Sequence, residues 1–246
     1  MGKHDEIVEK FINLNRGTIY GTMLGDATIT YIPTGKYKRK DGSSIGGSVG
    51  MRIRHAADQE DLVRHKHEFM KEISGKLCTE KPQNTNWQIV HQFYTRKSKA
   101  WMPTYELFYK NAREVIDNSG HKRYFKRVTP EILDKVDDRG MAWFFMDDGC
   151  CSHDKDGYTF FRLSTQGYTE EEDYLICDWL KDRYGVKASL NKSQNEGIRF
   201  ASVDAFVVYI GRDEFEKIKS RIEPYFIPSL RYKLGYKKVE HSLYVT

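Results

Sequence analysis

The chain has 246 residues, 39% of them hydrophobic and 13% aromatic, enough to build a real core and too apolar for a disordered protein. No run of about 18 apolar residues occurs, which excludes a spanning helix, and the opening MGKHDEIVEKFINLNRG has no apolar signal core. The net charge of +5 is uneven: residues 1–128 carry 23 Lys and Arg against 14 Asp and Glu (+9), and residues 129–246 carry 17 against 21 (−4). Basic clusters at 34–42, 51–55, 96–99 and 121–127, interleaved with aromatics, point to a polyanionic partner. The cysteines (Cys78, Cys150, Cys151, Cys177) form no C-x-x-C pair, so neither a disulfide framework nor a zinc site is expected, and the chain reads as reduced and intracellular.

In chain order, the first apolar helical run is GTIYGTMLGDATIT (17–30), closing on Asp26. Strands are expected near 27–33 and 49–55, flanking the basic loop TGKYKRKDGSSIGG, then a helix over 58–76, strand structure over 86–95 and a helix over 103–117. Residues 118–137, with Gly, Pro and a charge run, read as a connector. The second apolar run, GMAWFFMDDGCC (140–151), stops on Asp147 and Asp148. A strand-like segment after the acid and a strand near 158–165 follow, then a helix over 169–184 that Thr169 caps with Glu172 three residues on. Strands near 186–192 and 197–203 and a helix over 211–223 complete the chain.

Both apolar helices end on acid, where the macrodipole already leaves partial negative charge. This conflict occurs twice, at equivalent places in a degenerate repeat. If the helices pack side by side, with Gly21 and Gly25 permitting close approach, Asp26 and Asp148 meet at one end. Two such carboxylates repel unless a cation neutralises them, and oxygen ligands of that kind suit Mg²⁺. The strands alternate in the same spirit. Arg52 and Arg54 oppose Met51 and Ile53; Gln88, Gln92 and Tyr94 oppose Trp87, Ile89, His91 and Phe93; Arg162 and Ser164 oppose Phe161 and Leu163. Arg and Gln on a sheet face match guanine and adenine edges in the major groove. With Lys36, Lys38, Arg39 and Lys40 of the basic loop, and Lys192 and Arg199 further on, they are the candidate DNA-binding residues. The eight histidines show no metal-ligand spacing, HKH (65–67) reads as solvent-facing, Cys150 and Cys151 read as small packing residues, and no phosphate-cradling nucleotide loop is present.

IYGTMLGDA and MAWFFMDDG resemble the paired motifs of the LAGLIDADG homing endonucleases, of the single-chain, two-motif, intron-encoded type. LSTQGYTEEE (163–172) and PYFIPSLRYKL (224–234) resemble later blocks of the family, so the likeness spans residues 17 to 234. It implies an α+β fold of two pseudo-symmetric αββαββα halves, with saddle-shaped antiparallel sheets packed through the two motif helices. The halves would be 1–125, with its motif helix at about 16–26, and 126–246, with its motif helix at about 138–148. Trp143 stands where Gly21 stands in the first motif, so asymmetric helix packing is expected.

By the same resemblance Asp26 and Asp148 match the metal-binding acids, and the carbonyls of Gly25 and Asp147 match backbone ligands. Lys233 matches the basic residue of one half. Its counterpart falls in FKRVTP, where Arg127 aligns and Lys126 stands beside it; Arg is permanently charged and suits charge stabilisation better than proton transfer. The implied activity is Mg²⁺-dependent cleavage of both strands of a long DNA target, leaving 3′ overhangs, with Mn²⁺ as a substitute ion and a monomeric protein. The implied location is the cytoplasm of a bacterium or phage-infected cell, or an organelle if the gene lies there. Two other readings compete: an intron RNA-binding maturase on the same fold, and a catalytically dead transcription regulator. Retention of Asp26, Asp148 and Lys233 argues against the regulator, and the absence of flanking self-splicing blocks argues against an intein.

Overall fold

The computed structural model describes residues 2–34, 47–81, 89–116, 122–193 and 205–238. An amphipathic helix α1 (Lys3–Leu14) buries Val8, Phe11 and Ile12 and leads directly into the first motif helix, α2 (Arg16–Leu24). The first half continues as β1 (Thr28–Ile32), β2 (Ser48–Ala56), α3 (Glu60–Phe69), β3 (Cys78–Glu80), β4 (Val90–Tyr94) and α4 (Met102–Tyr109). A two-stranded ribbon, β5 (Glu114–Ile116) with β6 (Lys122–Tyr124), and the short α5 (Pro130–Leu133) reach the second motif helix, α6 (Asp138–Asp148). The second half repeats the order with β7 (Gly149–His153), β8 (Thr159–Leu163), α7 (Glu170–Tyr184), β9 (Ala188–Lys192), β10 (Phe206–Gly211) and α8 (Arg212–Ile222). Two four-stranded antiparallel sheets result, in the matching orders β1-β2-β4-β3 and β7-β8-β10-β9. Each half is αββαββα, as expected.

The motif helices are buried on all sides because they form the seam between the halves. Residues 140 to 147 of α6 are all buried, and Met141 through Met146 are fully so. Such close packing requires glycine: a Cβ on Gly21 would stand 2.0 Å from the Gly140 carbonyl oxygen, and one on Gly140 would stand 2.2 Å from that of Gly17. The seam is asymmetric, since Trp143 packs edge-on to Phe69 and His65 on α3, with rings 5.1 and 5.9 Å apart. Asp137 caps α6, accepting from the Gly140 amide at 2.6 Å, and Thr169 caps α7 with Glu172 in the expected reciprocal pair.

Several elements depart from expectation. The helix expected over 58–76 is α-helical only from Glu60 to Phe69, with short 3-10 turns on either side. The helix expected over 103–117 ends at Tyr109, and its tail enters the ribbon instead. Strand β3 is not among the expected elements, whereas β7 is the strand-like segment expected after the second acid. The expected strand at 197–203 lies outside the described residues, and the last described strand is β10. Among the described residues no helix is long and apolar enough to cross a membrane.

Candidate active site

The seam delivers the two acidic helix ends to one place, where charge is arranged in three layers. Deepest is Asp147, whose side chain is fully enclosed. Its Oδ1 accepts from the ammonium of Lys66, itself 0% exposed on α3 and also bonded to the Thr22 hydroxyl at 2.8 Å. Its Oδ2 accepts from the Asp26 amide at 3.2 Å. A Cβ on Gly25 would stand 2.3 Å from that oxygen, so the acid in one motif occupies the space left by glycine in the other.

Above this pair lies His55, buried at the end of β2. Its Nδ1 is 3.2 Å from Asp26 Oδ2 and its Nε2 is 3.5 Å from Asp147 Oδ1. Gln59 Oε1 also approaches Nδ1, at 2.8 Å. At the rim are Asp26 and Asp148. Burial works to raise the Asp26 pKa, but the His55 hydrogen bond and the nearby Lys66 and Lys126 charges together hold it below the ordinary value. Asp148 goes the other way. Burial and the charges of Asp26 and Asp147 push it well above the carboxylate range, and Lys126 and Lys233 offset this only in part.

Two lysines close the site from opposite sides. Lys126 Nζ donates to the carbonyls of Gly25 and Ala27, the latter at 3.1 Å. Lys233 Nζ, carried by the 3-10 turn Pro228–Leu234, donates to the carbonyls of Met146 and Asp147, the latter at 3.0 Å. Burial lowers the pKa of each lysine, against the pull of the acids. The pair is pseudo-symmetric, one ammonium per motif end. It offsets the unfavourable meeting of acid and helix C-terminus that the sequence poses.

The arrangement distinguishes the two candidates for the second basic position. The Arg127 guanidinium is turned away to the Lys110 carbonyl, 2.9 Å distant; Lys126, not the aligned Arg127, is brought to the acids. The Gly25 and Asp147 carbonyls, expected as backbone metal ligands, each accept from a lysine ammonium. HKH is corrected in part, since His65 is exposed as expected. Lys66 is fully buried, and His67 packs on Phe93 with rings 5.0 Å apart. His55 and Lys66 were not foreseen as site residues.

The donor set fits a divalent cation. Oxygen or nitrogen atoms of Asp26, His55 and Asp147 lie within 4.8 Å of one another. Because Asp147 is already neutralised by Lys66, the acids left to meet an ion are Asp26 and Asp148. Asp26 is half exposed at 45% and favoured as a carboxylate by His55 and the lysines, and the raised pKa of Asp148 marks unmet demand for positive charge. Carboxylate oxygens of this kind match Mg²⁺ or Mn²⁺.

The outer sheet faces hold the remaining candidates. Arg52 and Arg54 alternate with buried Met51 and Ile53 as expected. Gln92 shares their face but is only 2% exposed and donates to Glu80. In the second sheet Arg162 pairs with Tyr209 across β10 and donates to the Ser152 hydroxyl at 3.3 Å. Lys192 falls one residue out of phase, opposite Phe206, whereas Ser189 and Asn191 share the face of Arg162 and Tyr209. Lys36, Lys38, Arg39, Lys40, Gln88 and Arg199 lie outside the described residues.

Residues 16–218 match the model of a family described as the LAGLIDADG DNA endonuclease family. An intron-encoded endonuclease ai4 of Dictyostelium discoideum is 28% identical over 149 residues, 60% of this chain and 78% of that protein. A cytochrome b mRNA maturase bI2 of Saccharomyces cerevisiae is 26% identical over 237 residues, 91% of this chain and 48% of that protein. Among solved structures, the homing endonuclease I-WcaI bound to its DNA recognition sequence has a similar fold, with TM-score 0.68, 19% identity and 96% of each chain covered.

Proposed function

Because this chain belongs to the LAGLIDADG DNA endonuclease family, we propose that it is a site-specific endodeoxyribonuclease that uses Mg²⁺, with Mn²⁺ as a substitute. It acts as a monomer on a long asymmetric duplex target, cuts both strands and leaves 3′ overhangs. The observation that carries this reading is the charge arrangement at the seam: Asp26 and Asp148 repel at the rim while one lysine attends each motif end. Asp26 and Asp148 would hold the divalent ion. When bound, it supplies activation of the attacking water and stabilisation of the leaving oxygen. His55 fixes the Asp26 carboxylate, and the Lys66–Asp147 pair fixes its amide. Lys126 and Lys233 stabilise negative charge developing on one scissile phosphate each. The halves 1–125 and 126–246 each read one half-site, through Arg52 and Arg54 on one sheet and Arg162 on the other.

The test is incubation with a plasmid carrying the ligated exons that flank the reading frame, with Mg²⁺, followed by end mapping. Asp26→Asn or Asp148→Asn should abolish cleavage and leave DNA binding largely intact. Either variant cutting both strands at an undiminished rate sinks the metal assignment. Lys126→Met and Lys233→Met should each build up nicked product, one in each strand, while Arg127→Met should not.

The similarity to cytochrome b mRNA maturases over most of the chain favours a second activity, binding of intron RNA. A basic surface that follows DNA phosphates also suits RNA. Filter binding of the host intron transcript, with duplex DNA as competitor, tests it; no retention above that of an unrelated transcript excludes it.

A further inference from the structure

Glu80 is the only carboxylate among the described strands of the two four-stranded sheets. It lies on the edge strand β3, opposite Val90, while Cys78 of the same strand is opposite Gln92, and Gln92 is opposite Arg54. Opposed residues share a face, so Arg54, Gln92 and Glu80 all stand on the outer face, away from buried Ile53 and Phe93. Glu80 Oε1 accepts from the Gln92 side-chain amide, and Oε2 lies 3.7 Å from Arg54 Nη2. Gln92 is buried behind them, whereas the Arg54 and Glu80 side chains are 38% and 53% exposed.

An ion pair this exposed adds little to stability. A negative charge on a surface that meets phosphates also weakens binding to every DNA sequence alike. Its benefit therefore falls on discrimination. A free arginine on such a face pairs with any phosphate, a contact that carries no sequence information. An arginine held by a neighbouring acid is drawn away from phosphates and is already ordered for the bidentate approach to guanine O6 and N7. Resting on the DNA-reading function proposed above, we propose that Glu80 is a specificity-determining residue. Backed by Gln92, it holds Arg54 for one base edge and keeps it from the backbone. The chemistry selects a G·C pair, with guanine read by Arg54 and the cytosine amino group matching a carboxylate acceptor.

The experiment is selection from a randomised duplex library in the absence of divalent metal, with wild type, Glu80→Gln and Arg54→Met. Glu80 is exposed on an edge strand, so its isosteric substitution leaves the fold in place. Wild type should enrich a site with one G·C position that both variants relax, by about 5- to 150-fold, the range of a lost bidentate contact. On a non-selected duplex, Glu80→Gln alone should steepen the dependence of log K on log salt by about 0.9, the mark of one further phosphate contact. A Glu80→Gln protein with the wild-type preference at every position overturns the proposal. So does relaxation at a position that Arg54→Met leaves untouched, or an unchanged salt slope. A wild-type protein that enriches no site overturns both this inference and the function beneath it, which separates the two failures.

Discussion

Buried charge in this protein falls into two kinds, and they respond to substitution differently. Lys66 and Asp147 are a paired ammonium and carboxylate, both fully enclosed. Removing one partner of such a pair strands the other, at a cost of about 3–5 kcal/mol. Lys66→Met should therefore lower unfolding free energy by about that much in urea titration, and adding Asp147→Asn should restore most of it. Equal losses in the single and double variants would mean that packing, not stranded charge, is responsible. Asp173 is the other kind. It is 0% exposed, and neither oxygen keeps a hydrogen bond of ordinary geometry among the described residues, the nearby Thr165 hydroxyl donating to the Phe206 carbonyl at 3.4 Å. Burial chiefly, with Glu172 and Glu170, pushes its pKa up to about 7, although the Thr165 hydroxyl pulls the other way. The folded value exceeds the unfolded one of about 3.9, so Asp173 favours the folded state fully below about pH 4. That contribution is lost as pH rises towards 7. Asp173→Asn keeps a neutral group there, so its stability relative to wild type should improve between pH 4 and pH 8, by at most about 4 kcal/mol. Thermal melts at the two pH values check this, and a constant difference would show that Asp173 is not protonated in the fold.

At the scale of elements, the seam between α2 and α6 sets the geometry of the acids. Gly21→Ala would drive a Cβ into the Gly140 carbonyl, and overpacking of this kind costs about 1–3 kcal/mol or more. Because the intruding atom meets backbone, relief requires the helices to separate, which moves Asp26 from Asp148. Cleavage should consequently fall well below the level explained by the loss of folded protein, measured at a temperature where circular dichroism shows the variant still folded. Activity that merely tracks the folded fraction would argue against this coupling. The seam was legible in the sequence because both helices carry an apolar run that ends on acid. Strands β2 and β8 were legible through their period-two alternation. The three-residue β3 offers no such pattern, whereas β7 was legible only as the segment that must follow the second acid, without bounds, because no turn separates helix from strand there. Lys66 and His55 were hidden for a different reason. A lysine on a charged helix reads as solvated, and only the fold brings the partner Asp147, 81 positions away, against it.

Across the whole molecule, the two halves share a topology but not a charge. The +9 of residues 1–128 and the −4 of residues 129–246 mean that one sheet meets a polyanion with far more attraction than the other. In the second half the acids are concentrated on α7, whose first turn alone holds Glu170, Glu171, Glu172 and Asp173, while the outer face of its sheet presents Arg162, Tyr209 and Asn191. The first half is therefore suited to hold phosphates and the second to rely more on base edges and stacking. Each phosphate neutralised contributes about −0.9 to the slope of log K against log salt. Duplexes carrying a single half-site should then differ: binding to the half-site of residues 1–125 should fall more steeply between 50 and 200 mM salt, by about 0.9 for every additional phosphate contact. Fluorescence anisotropy on the two half-site duplexes measures both slopes directly. Equal slopes would mean that the acidic α7 lies too far from the DNA to matter, and that the charge difference of the halves has no part in binding.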